Sequence, residues 1–279
     1  MGNARLDHGA QFFTVRGENF RATIDEALSD GVVDVWCHGF GSDDGYPRYY
    51  CPNGMTALAK WLAGHVEEAG GRITLGARVS AISEGPDGWQ LSRESGDQIN
   101  AQHLIVTSPV PQTVELLDAG NWSLESAMRT QLKEITYVPT TAVLVTLDGP
   151  PAISPPGGIQ QSQDEVFSFI SDNQQKGVSA EPAVTFHVNN ALSKQRWEDA
   201  DEIVLADLLE DAKPWLGGAQ VIEAQLQKWK YAGPKQPYED RSLTIATDPG
   251  MLVLAGDAFG GPKVEGAFNS GTAAAEVLI

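Results

Sequence analysis

The chain closes on Leu-Val-Leu-Ala-Gly-Asp at 252–257, a glycine-rich loop, and a run of small residues from Gly266 and Ala267 through Ser270 and Gly271. A carboxylate such as Asp257 at the carboxyl end of a strand can accept hydrogen bonds from sugar or polyol hydroxyls, and that edge is where α/β folds bind ligands. The glycines, Gly256 among them, let backbone come close to a ligand. The helix that follows starts with free N–H groups and roughly half a positive charge, a seat for an anionic or electron-rich oxygen. Gly-Asp alone also fits an ordinary β-turn-α connection. The full spacing Gly-Asp-x8-Gly-Ala-x2-Ser-Gly favours a ligand seat.

A second set of chemistry-bearing residues lies mid-chain. His187, within Thr-Phe-His-Val-Asn-Asn, is the side chain type that titrates near neutrality. It can hydrogen-bond a carboxamide or steer a proton, and a half-buried structural role is the alternative. Trp229 and Tyr231 flank Lys230 on a strand and therefore share a face; they suit either a planar ligand or core packing. Sequence patterns for other chemistry are missing: H-E-x-x-H, C-x-x-C, G-x-S-x-G and the phosphate loop.

The elements that must position these residues follow from periodicity. A short helix, a turn at Asp30-Gly31 and a strand through Val33, Val35 and Trp36 come first. Met55, Leu58, Leu62 and Val66 then fall on one helical face, stopped by Gly70-Gly71. Ile73, Leu75 and Val79 alternate as a strand. Turn signals at Pro86-Asp87-Gly88 and Ser95-Gly96-Asp97 make a three-stranded meander that closes on the apolar run at 103–108. Beyond Pro109 and Pro111 come a helical stretch over 113–133, strands near 140–147, 165–171 and 183–189, and an amphipathic helix with Ile203, Leu205, Leu208, Leu209 and Ala212 apolar. A strand over 219–233 precedes the final β–loop–α unit.

The formal net charge of −18 in 279 residues argues against nucleic acid and anionic membranes as partners, since both need basic surface. No apolar run approaches ~20 residues, and the N-terminus has no apolar leader. A cytoplasmic protein is expected. Cys37 and Cys51 read as reduced thiols, too few for a disulfide framework.

The stretch at 254–276 closely resembles the closing FAD-binding motif of the flavin amine oxidase superfamily, most of all its bacterial renalase-like branch. The resemblance extends to residues 6–16, 52–63, 104–112 and 227–234. It implies a mixed α/β, two-domain FAD/NAD(P)-binding flavoprotein fold of the amine oxidase and p-hydroxybenzoate hydroxylase type. In it, 1–13, 51–112 and 244–279 form the FAD-binding domain and 14–50 with 113–243 the substrate domain. The cofactor implied is FAD, held by Val79, Gly256, Asp257, Gly266 and Ala267. Val79 is where the backbone meets adenine in relatives, with plain strand packing as the alternative. His187, Trp229 and Tyr231 would face the substrate, and residues 9–11 would run past the flavin. The activity implied is hydride transfer from a dihydropyridine isomer of NAD(P)H, or from an amine C–H, with dioxygen yielding hydrogen peroxide.

One departure stands out. Relatives open with a strand, G-x-G-x-x-G, a helix and an acidic residue for ribose. Here only residues 1–5 precede the resembling segment, and the nearest match, Gly39-Phe40-Gly41 through Gly45, has the wrong spacing. The FAD-binding domain is therefore expected to be incomplete at its N-terminus, with weak FAD binding, self-association or loss of catalysis as consequences.

Overall fold

A computed structural model describes residues 1–41, 43–161 and 165–279. Ser42, inside the rejected glycine match, lies outside the described residues. In chain order the elements are α1 (Glu18–Ser29), β1 (Asp34–Cys37), β2 (Arg48–Tyr50), α2 (Thr56–Glu68), β3 (Val79–Gly85), β4 (Gly88–Arg93), β5 (Gln98–Ala101) and β6 (Leu104–Val106). Next come α3 (Val110–Ala119), α4 (Ser126–Glu134), β7 (Tyr137–Leu147), β8 (Gly158–Gln160), β9 (Phe167–Asp172) and β10 (Ala183–Val188). The chain finishes with α5 (Asn190–Gln195), α6 (Asp201–Leu216), β11 (Val221–Pro234), β12 (Leu243–Ala246), β13 (Leu252–Leu254) and α7 (Val264–Leu278). They divide into two compact units, Met1–Gly70 with Val138–Ala232, and Gly71–Tyr137 with Gly233–Ile279.

The first unit is built on a five-stranded sheet in the order β11-β7-β10-β9-β8. Strand alternation gives its two faces different chemistry. Val184, Phe186 and Val188 of β10, with Val143, Val145 and Ile170 beside them, are buried under Val204, Leu208, Ala212 and Leu216 of α6. Each large apolar side chain buried there contributes roughly 1.5–3 kcal/mol. The other face is polar and aromatic. Thr185 pairs with Ser171 and His187 with Phe169, so these four side chains point the same way.

The N-terminal segment crosses that second face, held by a buried ion pair. Asp7 Oδ2 accepts from Lys176 Nζ at 2.8 Å, and both side chains are nearly inaccessible. Asp7 Oδ1 accepts the Met55 N–H at 2.8 Å, placing a carboxylate at the N-terminus of α2, where the helix dipole favours it. The Asp7 carbonyl accepts from Thr185 Oγ1 at 3.0 Å and from Gln11 Nε2 at 2.6 Å. Asn173 Oδ1 accepts the Asp7 N–H at 3.3 Å. Burial lowers the Lys176 pKa and the neighbouring Asp7 charge opposes that shift. Farther along the segment, Phe12 packs among Phe40, Phe169 and Trp36.

The second unit joins a meander, β3-β4-β5, to a small sheet in the order β12-β13-β6, in which β13 and β6 run parallel. Trp89 is fully buried in its core and donates Nε1–H to the Gly250 carbonyl at 3.0 Å. Ala274 of α7 packs on Val253 and Ala255.

Four expectations change. Ile73 and Leu75 are not in a strand: residues 71–78 are irregular, Leu75 is 88% exposed, and β3 begins at Val79. Alternation without a neighbouring backbone to pair with does not make a strand. On α2 only Leu58 is buried, and Val66 stands 48% exposed. Ile203 is exposed while Val204 takes the core position on α6. The stretch over 113–133 breaks into α3 and α4 around Gly120. Packing also divides the chain differently from the resemblance. Residues 1–13 and 51–70 belong to the first unit and 113–137 to the second, because Asp7 ties the early segment to β10 while α3 packs against β3.

The Asp7–Lys176 pair yields a stability test. Lys176→Met leaves a buried carboxylate without its cation, and Asp7→Ala leaves a buried ammonium and an uncapped α2. Each is expected to lose about 3–5 kcal/mol, read as a lower midpoint in urea unfolding with an unchanged slope. Exposed Lys213→Met, whose partner Glu210 is also exposed, should lose less than about 1 kcal/mol.

Candidate functional site

In the first unit the early segment brings mid-chain residues together. The His8 ring stacks on the Trp229 indole, with centroids 5.3 Å apart and planes 20° from parallel. Trp229 Nε1–H donates to the His8 carbonyl at 3.1 Å. His187 hydrogen-bonds the His8 backbone as well, and its Nε2 lies 3.4 Å from Gln11 Nε2. His187 and Trp229 thus meet at residues 8–11. Tyr231, two positions along β11 from Trp229, carries the Lys230 ammonium 5.4 Å over its ring.

The electrostatics of this cluster hold His187 in its neutral form. Desolvation drives the His187 pKa down to about 4, helped by Lys176 and opposed by the hydrogen bond to the His8 backbone. The imidazole is uncharged at neutral pH and serves as a hydrogen-bonding group rather than a cation. Gln11 is buried and spends its amide nitrogen on the carbonyls of Asp7 and Gly9. Its Oε1 has no hydrogen-bond partner among the described residues, so it is an acceptor left over for a donor such as an amide or amine N–H. Trp229 stays 37% exposed, leaving indole surface beyond the His8 stack.

In the second unit Asp257 lies three residues beyond the end of β13 and is half-buried. Burial raises its pKa, and backbone N–H groups, that of Ala258 foremost, partly oppose the rise. The Gly256 N–H donates to Ser270 Oγ at 2.9 Å, which fixes the strand end to α7. The N-cap residue of α7, Lys263, makes no side-chain cap. A Cβ at Gly266 would lie 1.8 Å from the Gly261 carbonyl oxygen, so the loop wraps the helix start only because Gly266 has no side chain. Ala267 continues this turn, donating its N–H to the Lys263 carbonyl at 3.1 Å.

Val79 opens β3 and lines a cleft of about 660 Å³ together with Ser80, Leu104, Ile105, Val106 and Leu116. Asp257 is not part of that lining. Asp257 and Gly266 fit one end of a dinucleotide cofactor: a half-buried carboxylate for a polyol and a helix turn without a side chain.

The resemblance places residues 9–11 beside the flavin, and sequence reasoning gives Asp7, His8 and Gln11 no partners within the chain. The contacts that single them out span 169 to 221 positions, from Asp7 to Lys176 and from His8 to Trp229, and carry no local signal. Lys176 in particular sits in a polar stretch that reads as loop.

Comparison with known proteins follows this geometry. Residues 4–279 match the family model described as flavin containing amine oxidoreductase. The chain is 23% identical to the mouse (Mus musculus) renalase over 289 residues, covering 98% of this chain and 82% of that protein. An oxidoreductase from Methanosarcina mazei superposes with a TM-score of 0.62 at 16% identity, over 84% of this chain and 56% of that one. A Pyrococcus furiosus protein superposes at 0.54 and 15% identity, over 85% and 54%. The chain thus spans little more than half the length of those two solved structures, whose likeness extends to the fold. With the family model covering nearly every residue, the chain belongs to the flavin containing amine oxidoreductase family.

Proposed function

We propose that this chain is a renalase-like oxidoreductase in which the second unit seats FAD and the first meets the substrate, a dihydropyridine isomer of NAD(P)H or an amine. What carries this reading is the flavin-family match along the whole chain together with the Asp257–Gly266 strand end. Bound FAD supplies a hydride acceptor that dioxygen returns to its oxidised form with release of hydrogen peroxide.

The protein's own part is binding and orientation. Asp257 holds polyol hydroxyls, the start of α7 holds an electron-rich oxygen, and Val79 and Ala267 offer backbone. Trp229, with Tyr231 on the same strand face, provides an aromatic wall for a planar ring. Gln11 Oε1 and the neutral His187 suit a substrate carboxamide, with Gln11 accepting its N–H. A dihydropyridine needs no strong base, because its ring nitrogen drives hydride departure. A histidine held neutral fits that demand. An amine substrate must arrive as the free base.

A second reading is a chain that folds but holds FAD too weakly to turn over. Titration with FAD, followed by flavin fluorescence, separates the two. Asp257→Ala should weaken FAD binding ~10–100-fold, the worth of a hydrogen bond to a charged group. Trp229→Ala should leave FAD binding unchanged and lower kcat/KM about tenfold. Flavin binding indifferent to Asp257→Ala sinks the assignment of the strand end.

The His187 shift fixes a pH dependence. Its folded pKa of about 4 lies below the unfolded value of 6.5. The unfolded chain therefore takes up a proton first as pH falls, and stability is lost between about pH 6.5 and 4. The loss levels off below that window, at up to about 3 kcal/mol. His187→Gln should flatten this part of the stability–pH curve, measured by urea unfolding at pH 7.0, 5.5 and 4.5.

A further inference from the structure

Trp229 is a large aromatic side chain in a place that does little by itself to hold it. Strand β11 stands at one end of the order β11-β7-β10-β9-β8, so among the described strands Trp229 has a sheet neighbour on one flank, and it is 37% exposed. A side chain so placed ordinarily keeps its rotamer freedom. Here one residue grips it twice. The His8 ring stacks on the indole, with centroids 5.3 Å apart and planes 20° from parallel, and the His8 carbonyl accepts the indole Nε1–H at 3.1 Å. The stack sets the plane of the indole and the hydrogen bond sets the direction of its edge, so both side-chain torsions are fixed.

His8 can act as a clamp because its own backbone is held on both sides. Asp7 before it is locked by Lys176, Met55 and Asn173. Gly9 after it gives its carbonyl to Gln11 Nε2 at 3.1 Å, and His187 bonds the His8 backbone itself. The His8 side chain is nevertheless exposed, so its ring adds little to the core. Space is left beside it as well: a Cβ at Gly9 would meet nothing within 4 Å. We infer that His8 is a positioning residue, which holds the Trp229 indole as a fixed plane on which a flat nitrogen heterocycle stacks. This rests on the reading of Trp229 as a wall of the substrate site. It adds the residue that makes the wall rigid, and it favours a nicotinamide-type ring over an alkyl amine. A plane already ordered takes up a flat ring without the cost of immobilising the indole on binding, whereas a flexible alkyl chain gains little from a plane held at one angle. The worth of such a stack is about three- to tenfold in affinity.

The indole N–H signal of Trp229 in the ¹⁵N-labelled chain, assigned by its absence in Trp229→Phe, tests this. His8→Ala should shift that signal and lower its heteronuclear NOE, and His8→Phe, which keeps a ring to stack, should restore both. His8→Leu keeps bulk without a flat face and repeats the test should the alanine variant fail to fold. Titration with 1-methylnicotinamide, a stable pyridinium that carries the ring without the rest of a dinucleotide, should move the Trp229 signal. His8→Ala should weaken that binding about three- to tenfold, and His8→Phe should recover it. A Trp229 signal that His8→Ala leaves in place and equally rigid overturns the proposal, whatever the ligand does. Ring binding that moves Trp229 but is indifferent to His8→Ala overturns it too, while leaving Trp229 as a substrate wall. A wild-type Trp229 signal that does not respond to 1-methylnicotinamide sinks the wall itself, and the proposal with it.

Discussion

The buried pair of Asp7 and Lys176 governs what the first unit presents. A carboxylate and an ammonium removed from water are tolerable only when their remaining hydrogen-bonding capacity is met. Here Met55 N–H takes the second carboxylate oxygen, while the Asp7 backbone is bonded by Asn173, Thr185 and Gln11. The effect is to pin one extended stretch to one face of a sheet. His8 and Gln11 then have fixed positions, and His187 and Trp229 meet at that stretch only because it is fixed. A weakly held segment could not keep a buried Gln11 oxygen unpaired, since it would reorient toward water.

The second unit works by different means. The candidate seat there is built from backbone features: a strand end and a glycine whose missing side chain allows a carbonyl to approach. Such a seat tolerates varied surroundings but depends on accurate strand placement, which the Gly256–Ser270 bond and the packing of Ala274 on Val253 provide. Asp257 is the charged side chain of that candidate seat, and its raised pKa reflects partial removal from water.

This contrast explains what the sequence discloses. The candidate seat in the second unit is contiguous, so Gly256, Asp257 and Gly266 can be singled out from spacing alone. Strands β7, β9 and β10 are legible too, as apolar-rich runs that are largely buried on both faces. The cluster in the first unit is assembled across 176 positions between Gln11 and His187, and only its mid-chain members carry a local pattern. Trp229 and His187 were visible as residue types on strands, but their meeting point at His8 was not. Lys176 was invisible because a buried lysine looks like any surface lysine until its carboxylate is found. The misread strand at 73–75 fails for a related reason. Alternation records what a segment is suited to pair with, whereas strand formation needs the partner backbone to be present.

Ile73, Leu75 and the β6 edge therefore carry information of another kind from the rest of the chain. Core positions such as Trp89 and Phe186 are apolar and buried, and their composition is explained by what surrounds them. At β6 and at 73–75 composition and surroundings disagree. Parallel strands are ordinarily covered on both faces, so an apolar run on the last strand of its sheet is a mismatch of a defined sort: Ile105 keeps one donor and one acceptor on the side away from β13.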